Sequence, residues 1–475
     1  MRVHLKANRR PVAVRRSFCL MSLPFVLLGL ALAFPAGASA ANPGGWNRLS
    51  FGSSAGVLEG IVCSDATHLW AVGSSADSIT TQGAGAIMFT SDGGATWSQQ
   101  KKTAGVNFDG VACADLTHAW VVGTTDNKAG NPTGGTILAT SDGGATWTTQ
   151  DTVTSDALSS VTCADDTHAW AVGPNPGNGA GPILATTDGG ATWIAQPVAS
   201  ADWIRTITCA DDNHAWAVGY DSKANCGVIL STTDGGATWK VRRSSFVLSG
   251  IACADASHVW AVGLDRARLS GAILASGNGG ATWSLQRTDT EHMFTGVTCA
   301  DAKHVWATSG DTIFATRNGG VTWSQQRTGT TGLITGIACA DTRRVWVVGW
   351  TMNRSSLEAR GLIFSTTTGG YSNPVLTFKL TGLTGGVMRL GKSVAAKGTV
   401  RPVSMAGAKV VLDLQRQSKN SWLRVTTVAR TISASGVYRW SVRLAREGNY
   451  RLKAKLRRTS ASTAATTRWL LLKVR

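Results

Sequence analysis

Residues 134–147 read Gly-Gly-Thr-Ile-Leu-Ala-Thr-Ser-Asp-Gly-Gly-Ala-Thr-Trp, and the second half of this stretch decides the fold. Its pattern, Thr140-x-Asp142-x-Gly144-x-Thr146-Trp147, recurs at 90–97, 186–193 and 232–239. At 276–283 and 316–323 Asn278 and Asn318 replace the Asp, and a worn copy at 366–371 ends in Tyr371. Each copy follows a second phrase, such as Val-Ala-Cys-Ala-Asp-Leu-Thr-His-Ala-Trp-Val-Val-Gly at 111–123, with its Cys at 63, 113, 163, 209, 253, 299 and 339. Repetition every 40–50 residues signals a propeller, solenoid or array. Within a unit, 110–114, 118–123, 136–140 and 147–150 are short β-prone runs parted by turn residues, which predicts a four-stranded propeller blade. The Asp can accept hydrogen bonds from the turn's own amides, the glycines permit positive φ, and the Trp anchors the last strand. Asn performs the same capping, so its use at 278 and 318 points to a structural rather than an acid–base role.

The turn motif resembles the Asp-box, or BNR, repeat of sialidases, sortilin-type receptors and xyloglucan-cleaving glycosidases. The whole unit, with Trp-Ala-Val-Gly followed by Ile-Leu-x-Thr-x-Asp-Gly-Gly-x-Thr-Trp, is more similar to the propellers of photosystem II assembly and stability factors. The resemblance covers about residues 46–371 and implies a β-propeller; it implies no particular activity, because one fold hosts many functions. Its structural Asp-box positions are Asp92, Trp97, Asp142, Trp147, Asp188, Trp193, Asp234, Trp239, Asn278, Trp283, Asn318 and Trp323. The last repeat lacks a Trp at this point, while the orphan segment 44–50 reads like the end of an Asp-box and its strand. We therefore expect the N-terminal strand to complete the seventh blade beside 362–366, closing the ring and removing open sheet edges.

Charge divides the chain of 475 residues into three parts. Residues 1–40 hold six Lys/Arg and no acid; 41–373 carry net −7; 374–475 hold 21 bases against Asp413 and Glu447, net +19. The first part has an apolar run at 20–34 and a small-residue site at 38–40, which reads as an export signal. Arg15-Arg16 leaves the general and twin-arginine routes open, and the expectation is a bacterial protein secreted or held at the cell surface, with no transmembrane segment after cleavage.

The seven repeat cysteines are expected to be small buried hydrophobes, since equivalent positions on neighbouring blades lie too far apart to pair; Cys226 stands in a polar loop. Cys-x4-His is a poor zinc pattern, offering two ligands per unit. The expectation is that each His, and Arg344 in the seventh repeat, packs on its adjacent turn Asp, and no metal or cofactor is expected. The links from second to third strand and between repeats vary most and share one face, the usual place for binding on a rigid scaffold. Candidate binding residues there are Asp202, Trp203, Tyr220, Asp221, Lys223, Asp265, Arg266, Arg268, Trp350, Arg354 and Glu358. No catalytic residue is assigned: no sialidase Arg-Ile-Pro signature precedes the first blade, and no pair of opposed carboxylates stands in a recognisable motif.

After Pro374 the repeat stops and six or seven alternating runs in about 100 residues predict an antiparallel sandwich. Segments such as Gly-Val-Tyr-Arg-Trp at 436–440 and Gly-Asn-Tyr-Arg-Leu at 448–452 resemble the Ig-like modules of exported bacterial proteins. The whole reads as all-β: a signal at 1–40, a seven-bladed Asp-box propeller at 41–373 and a basic Ig-like sandwich at 374–475. The expected function is non-enzymatic binding or scaffolding of a protein or glycan by a monomer. Its tail would attach to an anionic cell-envelope polymer or dock on the acidic propeller; specific nucleic-acid recognition is not expected. The alternative is a glycan-active hydrolase using loop carboxylates.

Overall fold

The computed structural model describes residues 45–50, 56–74, 84–126, 132–150, 156–175, 180–198, 203–289, 293–352, 359–371, 375–381, 383, 387–401, 408–433, 435, 437–457 and 465–475. All of them fall in one compact unit, Ser39–Arg475. Residues 1–40, expected from the sequence to be an export signal, lie outside the described residues. Regular structure within them is β-strand throughout, and none contains a helix long and apolar enough to cross a membrane.

Each repeat builds four antiparallel strands in chain order. In the fourth repeat these are Trp203–Cys209, Ala215–Asp221, Cys226–Thr232 and Lys240–Ser244. The third, fifth and sixth repeats form four-stranded sheets of the same order, and the first two join in one eight-stranded sheet through a single parallel pairing, Ala84 with Val106. The seventh contributes Leu333–Cys339, Val345–Met352 and Ala359–Thr366, and takes its fourth strand from the front of the chain, Asn47–Arg48. Asn47 pairs with Ser365 and Arg48 with Phe364, as the missing Trp of that repeat led us to expect. Trp46 delivers the absent indole: it is 1% exposed and donates Nε1–H to Gln326 Oε1 at 3.0 Å.

Stacking of neighbouring sheets explains the composition. A second strand such as Ala-Trp-Ala-Val-Gly is covered on both faces, so it reads as a continuous small and apolar run rather than an alternating one. Trp170, Val172 and Ile183 of the third repeat pack with Ile204, Val228 and Leu230 of the fourth in one cluster. The second-strand indoles Trp70, Trp120, Trp170, Trp216, Trp260, Trp306 and Trp346 are all buried. First strands of successive repeats lie side by side. Hydroxyls stitch them: Ser159 Oγ donates to Arg205 O (3.0 Å), Thr206 Oγ1 to Ser249 O (2.8 Å), Ser249 Oγ to Phe294 O (2.7 Å) and Thr295 Oγ1 to Ile334 O (3.3 Å). Thr335 Oγ1 donates to Leu58 O at 2.6 Å and Trp346 Nε1 to Gly93 O at 2.9 Å, so the last repeat returns to the first. The fold is a β-propeller.

Beyond the repeats, the three-stranded sheet of Val375–Thr381, Ser393–Arg401 and Val437–Arg443 and a six-stranded sheet share one core. The long strands of the second sheet are Lys409–Ser418, Ser421–Thr431 and Gly448–Leu456. Ala396, Tyr438 and Trp440 meet Leu412, Leu414 and Leu452 there. A Cβ at Gly398 would lie 2.2 Å from the Tyr438 ring, whose hydroxyl donates to Thr377 O at 2.7 Å. That close approach requires glycine at 398.

Candidate functional site

The two recurrent turns of each repeat sit together. Gly93 N–H donates to Thr67 O (2.8 Å) and Gly143 N–H to Thr117 O (2.9 Å), and the same bond recurs through Gly369 to Arg343 O (2.6 Å). The Asp-box is a closed local network. Asp142 accepts from Thr140 Oγ1 (2.8 Å), from Thr146 N–H (2.8 Å) and from Thr146 Oγ1 (2.6 Å), while Gly144 N–H donates to Thr140 Oγ1 (2.8 Å). These bonds favour the charged form and hold Asp92, Asp142, Asp188 and Asp234 at a pKa of about 2, with the side chain of the second Thr of each box the largest cause. Asn278 keeps the geometry: its Oδ1 accepts from Thr282 N–H (2.9 Å) and its Nδ2–H donates to Thr282 Oγ1 (2.9 Å). Three of the four lone-pair positions of Asp142 are thus engaged by its own turn.

The other turn behaves as expected. Asp115 Oδ1 accepts from Thr117 N–H (2.6 Å) and His118 N–H (2.7 Å), and the His118 ring lies 3.0 Å from Asp115 Oδ2. Arg344 makes the equivalent contact with Asp341 at 3.2 Å. No cluster of three or more metal-ligating side chains occurs among the described residues. The repeat cysteines are half-buried and unpaired, less enclosed than the sequence led us to expect. They end the first strands beside the turns, where solvent reaches one side. Desolvation is the main cause raising their thiol pKa, to about 12 at Cys113 and about 11 at Cys253. Cys226 is not in a loop; it opens the strand Cys226–Thr232.

On the opposite face the candidate residues separate into two kinds. Asp221 and Asp265 are buried and close equivalent hairpins: Asp221 Oδ1 accepts from Ala224 N–H (2.8 Å), and Asp265 Oδ1 from Ala267 N–H (3.0 Å) and Arg268 N–H (3.2 Å). Arg268 reinforces the second turn by donating from Nη1 to Asp265 Oδ2 at 2.8 Å, the chief cause lowering that carboxyl's pKa. Asn225 and Leu269 occupy the left-handed position of these turns, at φ 54° and 52°. These acids serve their own loops. Trp203, Tyr220 and Arg266 form the second kind. Trp203 and Tyr220 are directly paired across strands, which brings their side chains onto one side of the sheet. Arg266 reaches over from the next repeat, donating Nη1–H to the Tyr220 hydroxyl (3.1 Å) and to Asn225 O (3.2 Å), with its guanidinium 5.7 Å from the Tyr220 ring centre. Trp350 takes the Tyr220 position in the seventh repeat, paired with Leu333 and Gly361. Asp202, Arg354 and Glu358 lie outside the described residues.

One set of residues escaped the sequence reading. Five first strands carry a bulge, at Glu59, Asp109, Arg205, Ser249 and Thr335, and Ser159 and Thr295 take the aligned position in the third and sixth repeats. Four are the hydroxyl stitches described above; three are charged. Burial raises the pKa of Glu59 to about 7 and that of Asp109 well above its ordinary value, the latter helped by Glu59 on the adjacent strand. A column-by-column comparison of the repeats is the signal that finds them.

Residues 145–348 match the family described as photosynthesis system II assembly factor YCF48. No curated protein matches the chain. Among solved structures, the GH74 xyloglucanase from Xanthomonas campestris is 11% identical, with a TM-score of 0.45 over 90% of this chain and 75% of that one. The propeller domain of the Trilobed protease from Pyrococcus furiosus is 9% identical, with a TM-score of 0.43 over 64% of this chain and 96% of that one. An α-L-arabinofuranosidase from Fusarium graminearum is 12% identical, with a TM-score of 0.36 over 70% and 98%. Over residues 145–348 the chain is thus similar to the photosystem II assembly factor family, and its repeats fold as a β-propeller.

Proposed function

We propose that the chain is an exported, non-enzymatic binding or scaffold protein whose ligand, a protein or glycan, docks on the variable-loop face. In this reading residues 41–373 form seven blades, 1–40 are a removable leader, and 374–475 are a basic Ig-like sandwich that attaches the protein to polyanions. The observation that carries it is the division of labour between the two faces. The repeated acids are consumed by their turns, whereas Trp203, Tyr220 and Arg266 join successive repeats in a rigid aromatic and cationic ledge. Aromatic and arginine side chains held in place are the usual anchors of a recognition surface. The photosystem role of the matched family is not carried over, because the match stops at 348 and leaves the basic tail unaccounted for.

The test incubates purified full-length chain with bacterial envelope glycans and reads retention and released reducing sugar together. Retention without release supports the proposal. Release that survives repurification, or retention of uncharged glycans unchanged by Trp203→Ala and Arg266→Ala together, overturns it. Fusion of residues 1–40 to a reporter should direct it out of the cytoplasm; a reporter that stays inside would remove the exported part of the reading.

A further inference from the structure

The outer face of the six-stranded sheet presents its cations in an ordered array. Arg451 pairs across strands with Gln415 on one side and Leu471 on the other, and Gln415 pairs with Arg424. Residues in register share a face, so Arg424, Arg451, Lys453, Lys455 and Lys473 lie on one side of the sheet. The acid among them, Asp413, is already engaged by Lys455 at 2.9 Å and Thr427 at 2.8 Å. The opposite side of these strands carries Leu412, Leu414, Leu452 and Ala454 into the core.

Arg451 is held at the centre of this array. Its guanidinium carbon lies 4.5 Å from the Trp422 ring centre and 4.3 Å from that of Trp469, and Lys453 Nζ stands 5.2 Å from Trp469. Nε–H donates to Gln415 Oε1 at 2.7 Å. The two terminal nitrogens make no hydrogen bond to any described residue. A guanidinium fixed by two indoles and one amide has lost most of its side-chain freedom before any partner arrives, and its fork matches a planar carboxylate. Arg424 and Lys473 flank it, both exposed.

We infer that this face is a docking surface for a carboxylated polysaccharide, with Arg451 receiving a uronate carboxylate, the indole flanks packing on sugar rings and the neighbouring cations meeting the next charges along the chain. This rests on the polyanion-attachment reading of the tail and names its surface and partner. Charge complementarity argues for the occupant: 21 Lys/Arg against two acids in 374–475. Single-stranded nucleic acid binds through bases stacked on open aromatic faces, and here Arg451 is laid against both indoles. A lipid surface would draw on several exposed apolar residues; Leu471 is exposed on this face beside Arg451, whereas Leu423 and Val425 line a separate cavity of about 340 Å³ with Arg416, Arg443 and Tyr450.

The experiment measures binding of the full chain to polygalacturonate, neutral dextran, a single-stranded oligonucleotide and phosphatidylglycerol vesicles at rising salt. We expect polygalacturonate to be bound, dextran to be ignored, and affinity to fall steeply with salt because exposed charges are screened. Arg451→Lys keeps the charge but loses the fork, so affinity should drop tenfold or more, with Trp469→Ala similar. Lys397→Gln, an exposed charge on the other sheet, should change it less than twofold. Thermal melts establish that the variants fold. If polygalacturonate binds equally to Arg451→Lys and wild type, this face is wrong while polyanion attachment stands. Preference for the oligonucleotide or vesicles through Arg451 overturns the partner. Binding to none of the polyanions removes the attachment reading itself, and this inference with it.

Discussion

At the scale of single residues, the repeat region spends acids on its turns and at the bulges of its first strands. Asp142 belongs to the first group, and a charge held at about pKa 2 contributes stability above the ordinary carboxylate range that is lost as pH falls toward 2. Four such turns titrate together, so an acid melt should steepen between pH 4 and 2 and shift when Asp142 becomes Asn. Asp142→Ala should destabilise more than Asp142→Asn, because Asn278 and Asn318 show that an amide rebuilds the turn. Thr140→Ala removes the acceptor of the buried Gly144 N–H and should cost about 1–3 kcal/mol by chemical denaturation. Glu59 carries the opposite sign. Its folded pKa of about 7 lies above the unfolded value, so the folded state holds a proton the unfolded chain has released, and stability declines as pH rises from about 4.5 through 7. Glu59→Gln should therefore raise the melting temperature at pH 8 and change it little at pH 4; a stabilisation independent of pH would count against burial as the cause.

At the scale of elements, the latch between repeats is a glutamine on the fourth strand. Gln100 Nε2–H donates to Gly143 O (2.8 Å), Gln150 to Gly189 O (3.1 Å), Gln286 to Gly319 O (2.9 Å) and Gln326 to Gly369 O (3.1 Å), each tying one repeat to the next Asp-box. Gln326 also receives Trp46, so the closing strand and the seventh repeat share one bond network. Trp46→Ala should cost about 3–5 kcal/mol, as loss of a buried indole does, and unfolding should begin at the seventh repeat, seen as early hydrogen exchange in 345–352. Protection there equal to that of 215–221 would show that the strand is dispensable. Closure was legible in the sequence because one repeat lacked an indole and one orphan segment offered it. The latch was not: glutamine in an exposed strand looks like any polar residue until the neighbouring turn is placed beside it. The hairpin acids Asp221 and Asp265 were equally opaque, since an Asp in a variable loop signals a ligand and a turn alike.

At the scale of the whole molecule, a ring of near-identical units is differentiated at few places. Repetition made the strands, turns and stacking readable from residues such as Asp142 and Trp147. Departures from repetition hold what is particular to this protein: charged bulge residues on the inner strands, the Trp203–Tyr220–Arg266 ledge and the Trp422–Arg451–Trp469 array. Only two of these could be anticipated, through the loop aromatics and the tail's basicity, because contacts between separate repeats leave no local pattern. The measurement that tests the account most directly is a glycan-array comparison of the full chain with its Asp142→Asn and Arg266→Ala variants, each checked for folding by its melting curve. On this account wild type and Asp142→Asn should retain the same uncharged glycans while Arg266→Ala loses them by tenfold or more, anionic glycans held by the tail being unaffected. Loss of binding or of sugar release in Asp142→Asn with the fold intact, and no effect of Arg266→Ala, would contradict it.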